Sequence, residues 1–303
     1  MLTDSLILIG GMFALGLISR RLALLPDNAA DTLNRFVLEI CLPALVFQAV
    51  SRLQWDSSLL ALVILAWALG CLSWLLVWQI CRRLGWSREV EGCLVLTVMI
   101  GNTAFLGYPM IEGLLGKPAL AAAVVYDQLG TFLLLSIGGL SAVSIYSGAP
   151  RPTPRTVLLK VLSYPAFIAL LLALVPVAHP QWLDLFLDRV AGLLVPVALF
   201  AVGLSFTIVP PRQQMPALLT GLGLKMGLPP LLAWAALSAI DAPNVVLAAG
   251  VLQSAMPAMV SGGALAMRHG LAPRLAAALV GYGVLVALVW LPFLAWLLPP
   301  TAT

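Results

Sequence analysis

Long apolar runs alternate along the chain with short polar punctuation, at 5 to 19, 33 to 51, 58 to 81, 91 to 111, 119 to 146, 157 to 177, 184 to 207, 215 to 238, 243 to 267 and 275 to 298. A helix crosses a hydrocarbon core in roughly 20 residues, so this pattern predicts ten spanning helices. Three of the runs are weak by hydropathy. The second opens with Asn34, Arg35 and Glu39, and the fourth and ninth are dense in Gly, Pro, Asn, Gln and Ser. The first run has Asp4 in place of a basic leader and no A-x-A cleavage pattern, so it reads as a retained span.

Composition sharpens this picture. Of 303 residues, 62% are hydrophobic and 9% charged, with a mean hydropathy of +1.06, against about 25% charged in soluble domains. A water-soluble globule is excluded, because more than half of its surface would have to face solvent. The expected class is an all-α polytopic membrane protein whose function lies inside the bundle. The net charge of +4 does not point to nucleic acid, since the bases stand singly or in pairs between apolar runs. They report topology instead. Odd-numbered connections hold Arg20, Arg21, Arg35, Arg82, Arg83, Arg88, Arg151, Arg155, Lys160, Arg212, Arg268 and Arg274, and even-numbered ones only Arg52, Lys117 and Arg189. That bias places both termini outside the cytoplasm, in a multi-pass protein of the inner (plasma) membrane.

Residues 147 to 156, SGAPRPTPRT, form the widest connection. They divide the chain into a first five-helix unit at 1–147, a linker at 148–156 and a second unit at 157–303. An odd number of spans per half inverts the second unit, so two inverted five-helix repeats are expected. Pro43 and Pro196 lie 153 positions apart, and Pro109 and Pro257 lie 148 apart, offsets that suit a duplicated unit.

The two Gly- and Pro-rich runs carry the chemistry. Residues 101 to 109 read GNTAFLGYP, and 253 to 263 read QSAMPAMVSGG. Proline removes an amide donor and glycine offers no resistance, so both helices are expected to break in mid-membrane. Freed backbone groups cost several kcal/mol each in hydrocarbon and persist only when buried in protein or lining a polar cavity. Two such breaks facing each other make a binding site whose half-helix N-termini favour an anion. Asn102 and Thr103, with Gln253 and Ser254, add hydrogen-bonding arms. The competing reading of these four is adhesion between helices. Gly107 allows close approach of the crossing chain, Tyr108 and Met256 line or cap the cavity, and Pro109 and Pro257 mark the breaks. Phe105 and Met259 serve equally well as packing.

Three of the charged residues within the runs are candidates for a role inside the bundle. Asp127, in VVYDQLGTF, sits deep in the fifth and must either take up a proton or find a partner. It is the first candidate for coupling to H+ or Na+, against a structural hydrogen bond to Tyr126, Gln128 or a neighbouring helix. Lys225 is the one base well inside a run and neutralises an acidic partner or an anionic substrate, unless it snorkels to the interface. Glu39, four residues beyond Arg35, is a second-rank gating candidate or half of an i,i+4 pair. His179 and His269 form no metal set, and Cys41, Cys71, Cys81 and Cys93 lack any C-x-x-C spacing, so no metal or cofactor is assigned. Nucleotide, zincin and serine-hydrolase motifs are absent, and no enzyme is expected.

The segment with Asn102, Phe105, Gly107 and Pro109 is similar to the N-x-x-F-x-G-x-P signature of the auxin efflux carrier family of permeases. The break at Pro257 and the stretches Leu42 to Phe47 and Pro196 to Phe206 resemble the same family, here as a bacterial member. The resemblance implies a ten-span fold related to bile acid sodium symporters and sodium/proton antiporters, with crossed fourth and ninth helices. It also implies transport of organic anions such as auxins or malonate-like carboxylates, with the crossing prolines at Pro109 and Pro257 and the fourth-span asparagine at Asn102. The ninth span departs from the pattern by offering Gln253 and Ser254 and no asparagine. The expected function is secondary transport of a small organic anion by alternating access. An inorganic ion/proton exchanger and a non-transporting sensor or scaffold stand as alternatives, and a homodimer is left open.

Overall fold

A computed structural model describes residues 2–53, 56–175, 180–206 and 212–300, with side chains from Ile7 onward. The described chain is helical throughout: α1 (Leu2–Arg21), α2 (Ala29–Ser51), α3 (Ser57–Leu84), α4 (Arg88–Val98), α5 (Gly107–Leu115), α6 (Lys117–Ser147) and α7 (Pro154–Leu162) come first. They are followed by α8 (Pro165–Ala173), α9 (Gln181–Ser205), α10 (Met215–Ala239), α11 (Asn244–Ser254), α12 (Val260–Arg268) and α13 (Pro273–Leu297).

The expectation of ten spans in two inverted five-helix repeats is corrected by this architecture. Among the described residues six helices, α2, α3, α6, α9, α10 and α13, are long and apolar enough to cross a membrane. The number rises to seven if α7 and α8, bent by 71° at their junction, count as one. For two of the missing spans the cause is physical. The apolar runs at 91 to 111 and 243 to 267 are each split into helices of 11 and 9 residues, and neither piece reaches the roughly 20 residues of a span. A multi-pass all-α bundle with a bent span remains.

Local chemistry sets the helix ends. Asp56 caps α3 by accepting from the Ser57 amide at 2.6 Å and the Ser58 hydroxyl at 2.8 Å. Those bonds hold the Asp56 carboxyl below its ordinary range. Thr153 caps α7 through the Thr156 amide at 3.2 Å, with Pro154 in the first turn, where its missing N–H costs nothing. Inside α10, Pro229 and Pro230 leave the carbonyls of Lys225 and Met226 without helical donors. The Trp290 indole donates to the Met226 carbonyl at 2.8 Å and fills one of those gaps. In α6 the turns widen at Tyr126–Thr131, where the Trp67 indole donates to the Leu129 carbonyl at 3.0 Å.

The helices pack in two groups, each drawing on both ends of the chain. α1, α2, α8 and α9 form one, and α3 to α6 with α10 to α13 form the other. Large apolar side chains such as Ile64, Leu172, Trp182, Val289 and Trp296 are exposed on the outside, as a lipid-facing surface requires. Within the first group α1 and α9 touch backbone to backbone. A Cβ on Gly16 would lie 2.2 Å from the Phe200 carbonyl oxygen, and one on Gly203 would lie 2.2 Å from that of Phe13. Small residues are what allow such an approach. We therefore expect Gly16→Val and Gly203→Val each to push α1 off α9 and to destabilise the protein by about 1–3 kcal/mol. Thermal unfolding in detergent checks this, and unchanged melting in both variants would refute the contact.

Candidate functional site at the crossing of two interrupted helices

α4 stops at Val98 and its continuation α5 starts at Gly107, while α11 stops at Ser254 and its continuation α12 starts at Val260. Pro109 has no N–H for the Phe105 carbonyl, and Pro257 has none for that of Gln253, so neither helix can wind through. The open segments meet. They run antiparallel at Gly101 and Ala258, the Asn102 amide donates to the Pro257 carbonyl at 2.8 Å, and the Met259 amide donates to the Ile100 carbonyl at 3.2 Å. Each break thus supplies partners for backbone groups that the other has freed.

Around this crossing the polar side chains are buried. Asp127 is 2% exposed on the wide turn of α6. One of its oxygens accepts from the Thr103 hydroxyl, and the other accepts from the Tyr108 hydroxyl at 2.6 Å and the Gln128 amide at 2.8 Å. The carboxylate therefore grips both sides of the first interruption, Thr103 before α5 and Tyr108 within it. Gln253 does similar work from the second, donating to the carbonyls of Thr103 and Ala123, both at 3.2 Å. Its Oε1 lies 2.4 Å from where a Cβ on Gly107 would stand, so any larger residue at Gly107 would have to displace it. Ser254 donates to the Val251 carbonyl at 2.7 Å, and Met256, Tyr108, Pro109 and Pro257 are all buried in the crossing.

Asn102 is different. It is 0% exposed, its backbone N–H and carbonyl are engaged, yet Nδ2 and Oδ1 of its side chain both lack a hydrogen-bond partner. The Oε1 of Gln253 is likewise unpaired. Lys225, 7% exposed, reaches in from α10 until its Nζ lies 3.1 Å from the Cβ position of Gly101. Among the described residues it makes no ion pair or hydrogen bond. A chamber of about 10 Å³ lies between Lys225, Gly101, Thr103, Thr131, Gln253 and Ser254, the room of about one water.

Two larger cavities flank the crossing from opposite ends of α2 and α9, where the two helix groups face each other. One, of about 420 Å³, is lined by Asp31, Asn34, Phe105, Ser205 and Met267. The other, of about 390 Å³, is lined by Gln48, Arg52, Glu112, Lys117 and Asp188. Lys117 of α6 pairs with Asp188 of α9 at 3.5 Å across that second mouth. Glu39 stands apart from all three cavities, exposed on α2 and without an ion pair to Arg35 among the described residues. No cluster of three or more His, Cys, Asp or Glu placed to hold a metal occurs among the described residues. His179 lies outside them, and His269 Nδ1 is 2.9 Å from the Leu265 carbonyl oxygen.

Sequence reasoning named Asn102, Thr103, Gly107, Tyr108, Pro109, Gln253, Ser254, Met256, Pro257, Asp127 and Lys225, and the structure brings these together. It overlooked Gly101, Ala258 and Thr131, and had Gln128 only as a hydrogen-bond partner of Asp127, which it is. Gly101, directly before Asn102 in a proline-broken run, carried a readable signal of close approach. Ala258 and Thr131 carried none.

A chain of broken, crossing helices inside a multi-pass bundle is built like a membrane transporter, and the comparisons agree. The membrane transport protein family matches residues 2–144 and 152–295, and the chain belongs to that family. An uncharacterized transporter of Methanothermobacter thermautotrophicus is 25% identical over 298 residues, covering 96% of this chain and 96% of its own. An uncharacterized transporter of Methanocaldococcus jannaschii is 27% identical over 218 residues, covering 67% of this chain and 68% of its own. Both relatives are archaeal, and they support the family without the bacterial affiliation expected from the signature.

The grip of Asp127 is open to a direct test. Tyr108→Phe removes one of three donors from a buried carboxylate and is expected to destabilise the protein by about 1–3 kcal/mol. Melting of the variant against the wild type measures it, and an equal Tm would remove Tyr108 from the network.

Proposed function

We propose that the chain is a secondary transporter that carries a small organic anion, a carboxylate or auxin-like acid, through the crossing by alternating access. The observation that carries this reading is the Asn102 side chain, sealed from solvent with both ends of its amide unpaired. A buried orphan amide costs about 1–3 kcal/mol, which a ligand that accepts from Nδ2 and donates to or polarises Oδ1 repays. The N-termini of α5 and α12 open at the same place with the positive ends of their dipoles, although in α5 the Gly107, Tyr108 and Met110 amides are already bonded to the carbonyls of Asn102, Ala104 and Leu106. Ser254 and Thr103 line the chamber, and their hydroxyls, which here donate to the Val251 carbonyl and to Asp127, would have to turn to serve as further arms.

The flanking cavities give the anion its two routes. In this reading the helix group of α1, α2, α8 and α9 moves against the other, opening one cavity to the crossing while the second closes. The Lys117–Asp188 pair spans the groups and would part in one of the two states. The cavity bordered by Asp31 and Met267 belongs to the end of the molecule where Arg20 donates to the Phe206 carbonyl. We assign that basic end to the cytoplasm of a plasma-membrane protein. Asp127 in this reading holds Thr103 and Tyr108 in place, and a coupling proton would reach it only by displacing one of its three donors. That full complement supports anion transport over an exchanger in which Asp127 itself ligates the ion.

Uptake of radiolabelled monocarboxylates and dicarboxylates into proteoliposomes tests the proposal. Asn102→Leu is close in size and removes two unpaired polar atoms, so its Tm is expected to match or exceed that of the wild type while uptake falls at least tenfold. Unchanged uptake in that variant would refute the assignment of the site. A lowered Tm would mark Asn102 as interhelical adhesion instead.

A further inference from the structure

The cavity of about 390 Å³ is bordered by four charged side chains drawn from both helix groups. The first group supplies Arg52, at the end of α2, and Asp188 of α9, and the second supplies Glu112 of α5 and Lys117 of α6. Three of the four are paired. Arg52 lies 3.6 Å from Asp184, one turn before Asp188 on α9, and Lys117 lies 3.5 Å from Asp188. The first of these pairs sits inside one group and travels with it, whereas the second crosses the gap. Glu112 is the exception. It is half-buried, its carboxylate makes no ion pair or hydrogen bond among the described residues, and the charges of Lys117 and Asp188 both act on it.

The backbone sets this arrangement. α5 runs from Gly107 at the crossing to Leu115, and Gly116, at a φ of +87° that residues with a side chain rarely adopt, turns the chain straight into α6. The Gly116 amide donates to the Glu112 carbonyl at 3.0 Å and closes the last turn of α5. Lys117 thus opens α6 directly after the turn that carries Glu112, and both border the same cavity. Each belongs to a helix tied to the crossing, since α5 begins there and α6 carries Asp127. A carboxylate in the lysine's own group, left unpaired while the lysine reaches across the gap to another, is a second seat for the same charge.

We infer that Lys117 exchanges partners as the two helix groups move, pairing with Asp188 when the mouth of this cavity is bridged and with Glu112 when it is parted. Lys117 and Asp188 are both exposed, and ion pairs of that kind are too weak to lock either arrangement. With Glu112 available, the ammonium keeps a counter-charge after the groups separate. Asp188, one turn from Asp184, keeps Arg52 within its own group. The two arrangements then differ little in electrostatic energy, as an equilibrium that a ligand is to shift requires. The movement of the groups belongs to the transport reading above, whereas the exchange of partners is measured without any flux.

A cysteine placed at Ala121, which lines the cavity, reports the exchange through its rate of reaction with a water-soluble maleimide, in a chain whose native Cys41, Cys71, Cys81 and Cys93 are replaced by alanine. Asp188→Asn removes the bridging seat and is expected to speed labelling about two- to fivefold, and Glu112→Gln removes the other seat and is expected to slow it by a similar factor. With Lys117→Gln present, neither substitution is expected to move the rate, and Lys117→Arg is expected to preserve both effects. Unchanged rates in both carboxylate variants, shifts in one direction, or opposed shifts that persist in Lys117→Gln would overturn the inference. Carboxylate uptake into proteoliposomes is the separate arm. Opposed labelling shifts without uptake by any form would defeat the transport reading and leave the exchange standing. Uptake by the wild type, with labelling indifferent to Glu112 and Asp188, would defeat the exchange alone.

Discussion

Hydrocarbon cannot hydrogen-bond, and the whole arrangement depends on that fact. Two proline-broken helices would each leave several backbone groups stranded, at a cost of several kcal/mol per group. Here the breaks cancel part of one another's deficit. The amide of Asn102 finds the carbonyl of Pro257, and the amide of Met259 finds that of Ile100. Neither interruption is tolerable without its partner, so the crossing must be built as a unit and its two segments must sit at one depth in the bundle. Side chains then take up what the backbone leaves over. Asp127 draws Thr103 and Tyr108 to α6, and Gln253 draws the Thr103 and Ala123 carbonyls to α11.

The same logic explains why irregular structure clusters near the crossing. α6 widens at the turn that carries Asp127, and the regular winding of α10 is interrupted at Gly227, just beyond Lys225. In both helices an indole from a neighbour, Trp67 or Trp290, donates to a carbonyl at the distorted turn. Tryptophan suits this task because its apolar body packs among helices while its single N–H reaches one acceptor. These helices thus bring a charged side chain to a fixed point without exposing backbone to lipid.

The interruptions were legible in the sequence because proline and glycine act locally: Pro109 and Pro257 forbid a hydrogen bond whatever surrounds them. The deep positions of Asp127 and Lys225 were legible too, since each lies far inside an apolar run. The number of spans was not. Hydropathy marks a run of 20 apolar residues whether it forms one helix or two short pieces at an angle, and the runs at 91 to 111 and 243 to 267 are of the second kind. Nor did spacing reveal partners. Gln253 looked like a ligand arm equivalent to Asn102, but its Nε2 is spent on two carbonyls, while Asn102 alone has both amide atoms free. Glu39 lay within a predicted span, yet its facing direction depended on packing that no single-chain pattern encodes.

That difference between the two amides bears on how the site works. Gln253, long enough to reach across, is an internal strut, and its remaining Oε1 is pressed toward Gly107. Asn102 is too short to find an acceptor, and its backbone is already committed to Pro257 and Gly107, so it cannot relax toward one without undoing the crossing. An unsatisfied amide held this rigidly is a small reservoir of unfavourable energy, of the order of 1–3 kcal/mol. A ligand recovers that energy only in the state that admits it to the crossing. The chamber here has room for about one water, so in the proposed transport reading binding would be coupled to a rearrangement of the two helix groups. Differential affinity between closed and open states is what a ligand needs to shift such an equilibrium, and under the proposed function the unpaired amide of Asn102 would supply it.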